Sequence, residues 1–227
     1  KNLIKAHEFV FNSNKKNNLK ALDYWKKIIP KTYNKFTFNN NEVQSELNEF
    51  KPIFIIGLPR SGSTVIEALL SSGKLKITSL GESSIFNGIV AREFSPKNKN
   101  LIDLNLVIDQ ILKTYSEKNY NLKNKIFIDK SLENFFYIDV ILKVFPKALF
   151  IHTFRNIKDN IFAIFKQSLE KLSWTHSIED ILNYINNYLK VLKYFKKKYP
   201  DKIYNIQLEE LTNNVEEISK KLFSFCG

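Results

Sequence analysis

Residues 52 to 72 constrain the fold of this chain more than any other stretch: Pro-Ile-Phe-Ile-Ile-Gly-Leu-Pro-Arg-Ser-Gly-Ser-Thr, followed by Val-Ile-Glu-Ala-Leu-Leu-Ser-Ser. Ile53 to Ile56 is wholly apolar and bounded by Pro52 and Gly57, the pattern of a short strand buried on both faces of a parallel sheet. A loop must follow. Gly57 and Gly62 give it backbone freedom, Pro59 stiffens it, and Ser61, Ser63 and Thr64 put hydroxyls where a helix begins. Val65, Ile66, Leu69 and Leu70 give that helix an apolar side. Its first-turn N–H groups, unpaired within the helix, point into the loop and can hold a phosphate or sulfate with help from the helix dipole.

The spacing from Gly57 to Thr64 nearly fits the nucleotide-triphosphate loop G-x-x-x-x-G-K-[ST], but Ser63 stands where that motif needs lysine, and the basic group is Arg60 instead. This Pro-Arg-Ser-Gly-Ser-Thr loop resembles the 5′-phosphosulfate-binding loop of sulfotransferases that use 3′-phosphoadenosine 5′-phosphosulfate. It is most similar to the tyrosylprotein-sulfotransferase-like branch and its bacterial relatives with tetratricopeptide repeats. The resemblance runs from about Lys51 to Gly227.

The remaining strands read from the same logic. A short strand candidate near Lys76–Thr78 and strand patterns at Ile126–Ile128, at Ala148–Thr153 and at Ile203–Ile206 alternate with helical patterns at Ile85–Val90, Leu101–Tyr115, Phe135–Phe145, Ile157–Leu169, Ile178–Tyr199 and Val215–Phe225. Such alternation predicts an α/β/α three-layer, P-loop-like domain around a central parallel sheet, with ligands at the carboxyl ends of the strands. A small helical appendage over residues 1–50 precedes this domain, which occupies 51–227. Two helices, Leu3–Phe11 and Leu19–Ile29, are predicted around a polar Asn12–Asn18 turn and closed by Pro30; a third, Glu42–Phe50, is capped by Asn39 to Asn41. The hairpin resembles the last unit of a tetratricopeptide array, with Ala6, Ala21, Leu22 and Trp25 as packing positions, and reads equally as a brace for the domain. The chain starts without methionine and stops at Phe-Cys-Gly, where members of the family continue with a tail that helps close the donor site, so a longer protein is expected.

Charge points to an anionic ligand: 35 basic against 23 acidic side chains leave a net +12. Lysine spread along the chain supplies nearly all of it, so solvated surface is a better account than nucleic-acid binding. The arginines are Arg60, Arg92 and Arg155, two of them inside candidate motifs. No apolar run approaches the length of a membrane span, the N-terminus is unlike a signal peptide, and Cys226 cannot form an internal disulfide, so a cytoplasmic protein is expected. His7, His152 and His176 are far apart in sequence and no cysteine cluster accompanies them, so no metal site is expected. His152 reads as a core or supporting residue within a strand, His176 as packing beside Trp174, and Cys226 as a small buried helix residue.

The resemblance implies a reaction and a donor. Sulfuryl transfer from 3′-phosphoadenosine 5′-phosphosulfate to an acceptor hydroxyl, of a peptide tyrosine, a glycan or a small molecule, needs cationic groups for the oxygens and a base for the hydroxyl proton. Arg60 with the backbone of Ser61, Gly62, Ser63 and Thr64 would hold the 5′-phosphosulfate. Lys130, in Asp-Lys-Ser-Leu-Glu-Asn-Phe, matches the lysine of the family's Asp-Lys-x-Pro-x-Asn-Phe, with Leu132 in place of proline. Glu82 matches the family's base, and reads alternatively as an acid capping the next helix. Arg155 matches an arginine for the 3′-phosphate, and reads alternatively as a salt bridge to Asp159. Two departures fall on that side: Ala163 replaces a serine, and Leu208 replaces the tyrosine of Tyr-Glu-Asp-Leu. These favour, as an alternative, a non-catalytic binding module with a decayed donor site. A nucleotide kinase is the other alternative, weakened by Ser63.

Overall fold

A computed structural model describes residues 2–39, 45–73, 77–93, 101–118, 120 and 125–227. Its centre is Ile53–Gly57 (β1), buried at every position. Thr78–Ser79 (β2), Phe127–Asp129 (β3), Leu149–Phe154 (β4) and Ile203–Gln207 (β5) join it in one all-parallel sheet of order β2-β3-β1-β4-β5. Because side chains alternate along a strand, β1 feeds two cores. Phe54 and Ile56 enter the larger one with Phe127 and Phe150, whereas Ile53 and Ile55 enter a smaller one with Ile128 and Ile151. Phe54 stacks on Phe150 with centroids 5.5 Å apart.

The helices, in chain order, are Asn2–Ser13 (α1), Lys15–Asp23 (α2), Ser63–Ser72 (α3), Ile85–Glu93 (α4), Leu104–Glu117 (α5), Ile138–Val144 (α6), Ile157–Gln167 (α7), Ile178–Lys198 (α8), Leu208–Asn213 (α9) and Val215–Cys226 (α10). α3 and α10 pack Ile66, Leu70 and Leu222 over the smaller core. The larger is covered by α4, α5, α6 and α8, whose Tyr184, Tyr188 and Phe195 face inward. No helix among the described residues is long and apolar enough to cross a membrane.

Several sequence expectations are revised. The predicted polar turn at Asn12–Asn18 shrinks to Asn14, whose φ of −134° breaks the helix; the lysines and asparagines after it are helical on an exposed face. Pro30 does not close the segment. It sits in a last turn, Ile29–Thr32, after a π-turn at Tyr24–Ile28, in a run that stays helical from Lys15 to Thr32. Leu101–Ile102 is not helical but pairs in parallel with Thr37–Phe38 in a separate two-stranded sheet, and the helix starts only after the Asp103 cap. Phe135–Phe145 divides into a 3-10 turn at Leu132–Phe136 and α6. Of the predicted Glu42–Phe50 helix, residues 42–44 lie outside the described residues and Glu46–Glu49 is a single 3-10 turn. Asn40, Asn41 and Lys76 also lie outside them, while the Asn39 side chain accepts from the Leu104 N–H at 3.1 Å, at the start of α5. Trp25, Ile29 and Leu47 belong to the larger core, so the segment before β1 is packed onto the sheet domain.

Candidate active site

β1 runs straight into the loop because Gly57 permits it. A side chain there would meet the Thr153 carbonyl oxygen at 2.3 Å, since Gly57 is level with Thr153 of β4. The loop then turns through Arg60, a non-glycine residue at φ 66°, and Gly62 at φ 93°. A left-handed arginine costs on the order of 1 kcal/mol and persists only where its surroundings over-determine it. Here three hydrogen bonds do so. The buried Ser61 hydroxyl donates to the Leu58 carbonyl at 2.7 Å and accepts from Thr153 Oγ1 at 2.7 Å, and the buried Asn160 amide of α7 donates to the Pro59 carbonyl at 2.7 Å. The Ser61 hydroxyl is thus spent inside the fold. Arg60 and Thr64 stay exposed at the mouth, and the first turn of α3 opens beneath them.

The loops after β2 and β3 meet beside this mouth. Asp129, 1% exposed, organises them: its carboxylate accepts from the Ser131 N–H at 2.8 Å, from the Asn134 amide at 3.2 Å and from the Ser83 hydroxyl. Burial pushes its carboxyl above the usual range, against the pull of those donors. The Ser84 N–H is held by Ser131 Oγ at 2.8 Å. Lys130, next in the chain, donates its N–H to Gly81 O at 2.8 Å and its ammonium to Glu82 Oε1 at 2.9 Å. Lys130 and Glu82 are therefore in contact, as separate loops of the sequence could not reveal. Within the cap-like stretch Glu82 to Ser84 it is Ser83 that meets the helix: α4 begins at Ile85, whose N–H reaches Ser83 Oγ at 3.3 Å, while the Glu82 carboxylate turns to Lys130. Leu132 opens the 3-10 turn, a position where proline is favoured but not required.

Past β4 and β5 the arrangement is sparser. Arg155 lies 3.9 Å from Asp159 at the closest nitrogen, and its Nε is buried with no hydrogen-bond partner among the described residues. Glu209 Oε1 accepts from the Asn156 N–H at 2.9 Å, and this bond, above the smaller pull of Arg155, holds its carboxyl below the usual range. Leu208 leans over the loop; a side chain on Gly62 would meet its Cδ1 at 2.6 Å. Ala163 lies on α7. His152 lies behind this wall, 3% exposed. Its Nδ1–H donates to Asn205 Oδ1 at 2.8 Å, so Nε2 accepts from the Tyr188 hydroxyl at 2.6 Å, and burial pushes its pKa down to about 3. His176 packs against His7, Nδ1 to Nδ1 at 3.1 Å.

Sequence reasoning did not single out Asp129, Thr153, Asn160 or Glu67. Two of these carried a signal: Asp129 opens the Asp-Lys-Ser-Leu-Glu-Asn-Phe segment, and Glu67 lies one helical turn past Ser63 on the same side of α3. Among the described residues no group of His, Cys, Asp and Glu side chains is placed to hold a metal ion.

A family model described as the sulfotransferase family matches residues 52–227. An uncharacterized protein of Aquifex aeolicus is 28% identical over 193 residues, 78% of this chain; the chain spans about a quarter, 25%, of that curated relative's length. Among solved structures, a sulfotransferase of Alicyclobacillus acidocaldarius aligns with TM-score 0.52 and 15% identity over 78% of this chain and 81% of its own. The sulfotransferase domain of the Synechococcus PCC 7002 olefin synthase aligns with TM-score 0.51 and 16% identity over 83% and 77%. A sulfotransferase of Mycobacterium tuberculosis aligns with TM-score 0.51 and 13% identity over 78% and 67%. At these identities the likeness is one of fold.

Proposed function

The chain belongs to the sulfotransferase family, and from that premise we propose that it transfers a sulfuryl group from 3′-phosphoadenosine 5′-phosphosulfate to an acceptor hydroxyl of a peptide tyrosine, a glycan or a small molecule. The observation that carries this reading is the Lys130–Glu82 contact of 2.9 Å beside the Arg60 loop, which puts a cation and a carboxylate at the mouth of one anion cradle. The residues fit the donor. The loop offers Arg60 and the first turn of α3 to its 5′ end, and the buried Nε of Arg155, without a partner among the described residues, fits its 3′-phosphate. When bound, the donor supplies the sulfuryl group and adenosine 3′,5′-bisphosphate as leaving group.

The chain's own residues would then divide the work. Arg60 and the N–H groups of Ser63 and Thr64 bind and orient anionic oxygens. Lys130, at the end of β3, places positive charge where negative charge grows. Glu82, with a side chain 70% exposed, takes the acceptor's proton on its carboxylate once it has left Lys130. Asp129 holds both loops in register. In the same reading residues 1–50 are a helical appendage, the end of a tetratricopeptide array, and 51–227 the transferase domain; Phe9, 76% exposed on α1, suits a helix built to meet another neighbour.

Calorimetric titration with adenosine 3′,5′-bisphosphate tests the donor. Micromolar binding, lost in Arg60→Ala and weak for ATP, is the expected result. Absence of binding by the folded chain would favour the second reading, a binding module with a decayed donor site, for which Leu208 closing over Gly62 is the supporting observation.

A further inference from the structure

The Lys130 side chain is 10% exposed, and an ammonium so far from water needs compensating charge. Two carboxylates face it, and they are not alike. Glu82 Oε1 is at 2.9 Å on a side chain that is 70% exposed, and its hydrogen bond among the described residues is the one to Lys130. Glu67 Oε2 is at 3.6 Å on a side chain that is 19% exposed. The second oxygen of Glu67 accepts from the Ser79 hydroxyl at 2.5 Å, and Ser79 Oγ in turn accepts from the Gly81 N–H at 3.0 Å. Gly81 O takes the Lys130 N–H at 2.8 Å, which closes a ring through α3, β2 and β3.

We propose that Glu67 is a positioning residue for Lys130: the fixed member of a two-carboxylate clamp that keeps the ammonium paired and aligned when Glu82, the mobile member, turns away. Without Glu67, departure of Glu82 would strand a buried cation, and the ion pair would hold the base in place. With it, Lys130 stays paired, and its charge is tied to the same helix whose first turn faces the anion loop. Glu67 takes no part in bond making. The clamp stands on geometry alone; its effect on turnover rests on the transferase reading above.

Acylation of Lys130 by an acetate N-hydroxysuccinimide ester, followed by peptide mass spectrometry of the folded chain, tests the clamp without any turnover. An ammonium held between carboxylates is shielded from the reagent, so the labelling rate at Lys130 reports how firmly each partner holds it. Glu67→Gln, which keeps the size and the Ser79 contact, should speed labelling at Lys130 by roughly three- to tenfold, and Glu82→Gln should change it by less than about twofold. Equal rates in wild type and Glu67→Gln, or a larger effect from Glu82→Gln, would overturn the proposal. A kinetic arm separates positioning from folding. With p-nitrophenol as acceptor, Glu67→Gln should lower kcat about tenfold while leaving donor KM within about twofold, Glu67→Asp should recover part of the loss, and Glu67→Gln should add nothing in a Lys130→Met background. Additive losses would also overturn it. If wild type transfers nothing to the phenol, the transferase reading is in question and labelling alone decides on Glu67.

Discussion

The ends of β1, β2 and β3 and the ends of β4 and β5 contribute two halves of one mouth, built to different standards. In the first half polar groups are cross-linked: Ser61 to Leu58 and Thr153, Asn160 to Pro59, Asp129 to three donors, and Lys130 to two carboxylates. In the second, Arg155 keeps a buried nitrogen with no partner among the described residues, Ala163 offers no hydroxyl, and Leu208 presents methyl groups to the loop. A cross-linked half suits charge development during a reaction, since the groups that hold the loop and Lys130 are already in place and only Glu82 has to move. An unsatisfied half suits a ligand that brings its own acceptors, because the cost of the orphan donor is relieved on binding.

That contrast breaks most sharply if the halves are attacked separately. Glu82→Gln should cut kcat for sulfuryl transfer by about 10²–10⁴-fold and leave calorimetric binding of adenosine 3′,5′-bisphosphate nearly unchanged. Loss of binding with unchanged turnover per bound donor would invert the assignment of the halves. Arg155→Ala should do the converse, weakening binding by about 1.5–3 kcal/mol with kcat at saturating donor close to wild type. An unchanged Kd in that variant would mean that the Asp159 contact, not a phosphate, is what Arg155 serves.

Stability against pH tests the second half from behind. His152 is neutral when folded, with a pKa near 3 against 6.5 for the free side chain, so between those values the unfolded chain binds more protons. Stability contributed by the neutral imidazole is full above pH 6.5 and is lost as pH falls toward 3. The slope from this group approaches about 1.4 kcal/mol per pH unit. Urea titrations across that range should show it, and His152→Asn should flatten it; an unchanged slope would place the acid sensitivity elsewhere. The smallest expected effect is a gain. Ala163→Ser should tighten adenosine 3′,5′-bisphosphate binding by about 0.5–1.5 kcal/mol if the α7 position faces the ligand, a shift readable in the same calorimeter.

Much of this architecture was legible beforehand. The run at Ile53 to Ile56 and the glycines after it announced a buried strand, a tight loop and a helix, and all three are present. The other strands appeared within a residue or two of their expected places; β3, β4 and β5 are mainly apolar runs between turn-forming residues, and the short, polar β2 is the weakest of the four. What failed was local: Pro30 inside the final turn, Asn14 as a one-residue break, the strand at Leu101–Ile102, and the unforeseen α9, all places where propensity is weak and neighbours decide.

The site divides along the same line. Sequence by itself determined the parts with a local cause: an arginine in a glycine turn at a helix start, and charged residues directly after strands, since both follow from steps of a few residues along the backbone. Tertiary structure alone decided the pairings. That Glu82 lies on Lys130, that Glu67 closes in from α3, that Asn160 of α7 ties the loop through Pro59, and that Ser61 turns inward to Thr153 are consequences of strand order, β2-β3-β1-β4-β5. Hydrogen bonds and ion pairs act over a few ångströms, and only the parallel sheet brings residues 48 or 101 positions apart within that reach.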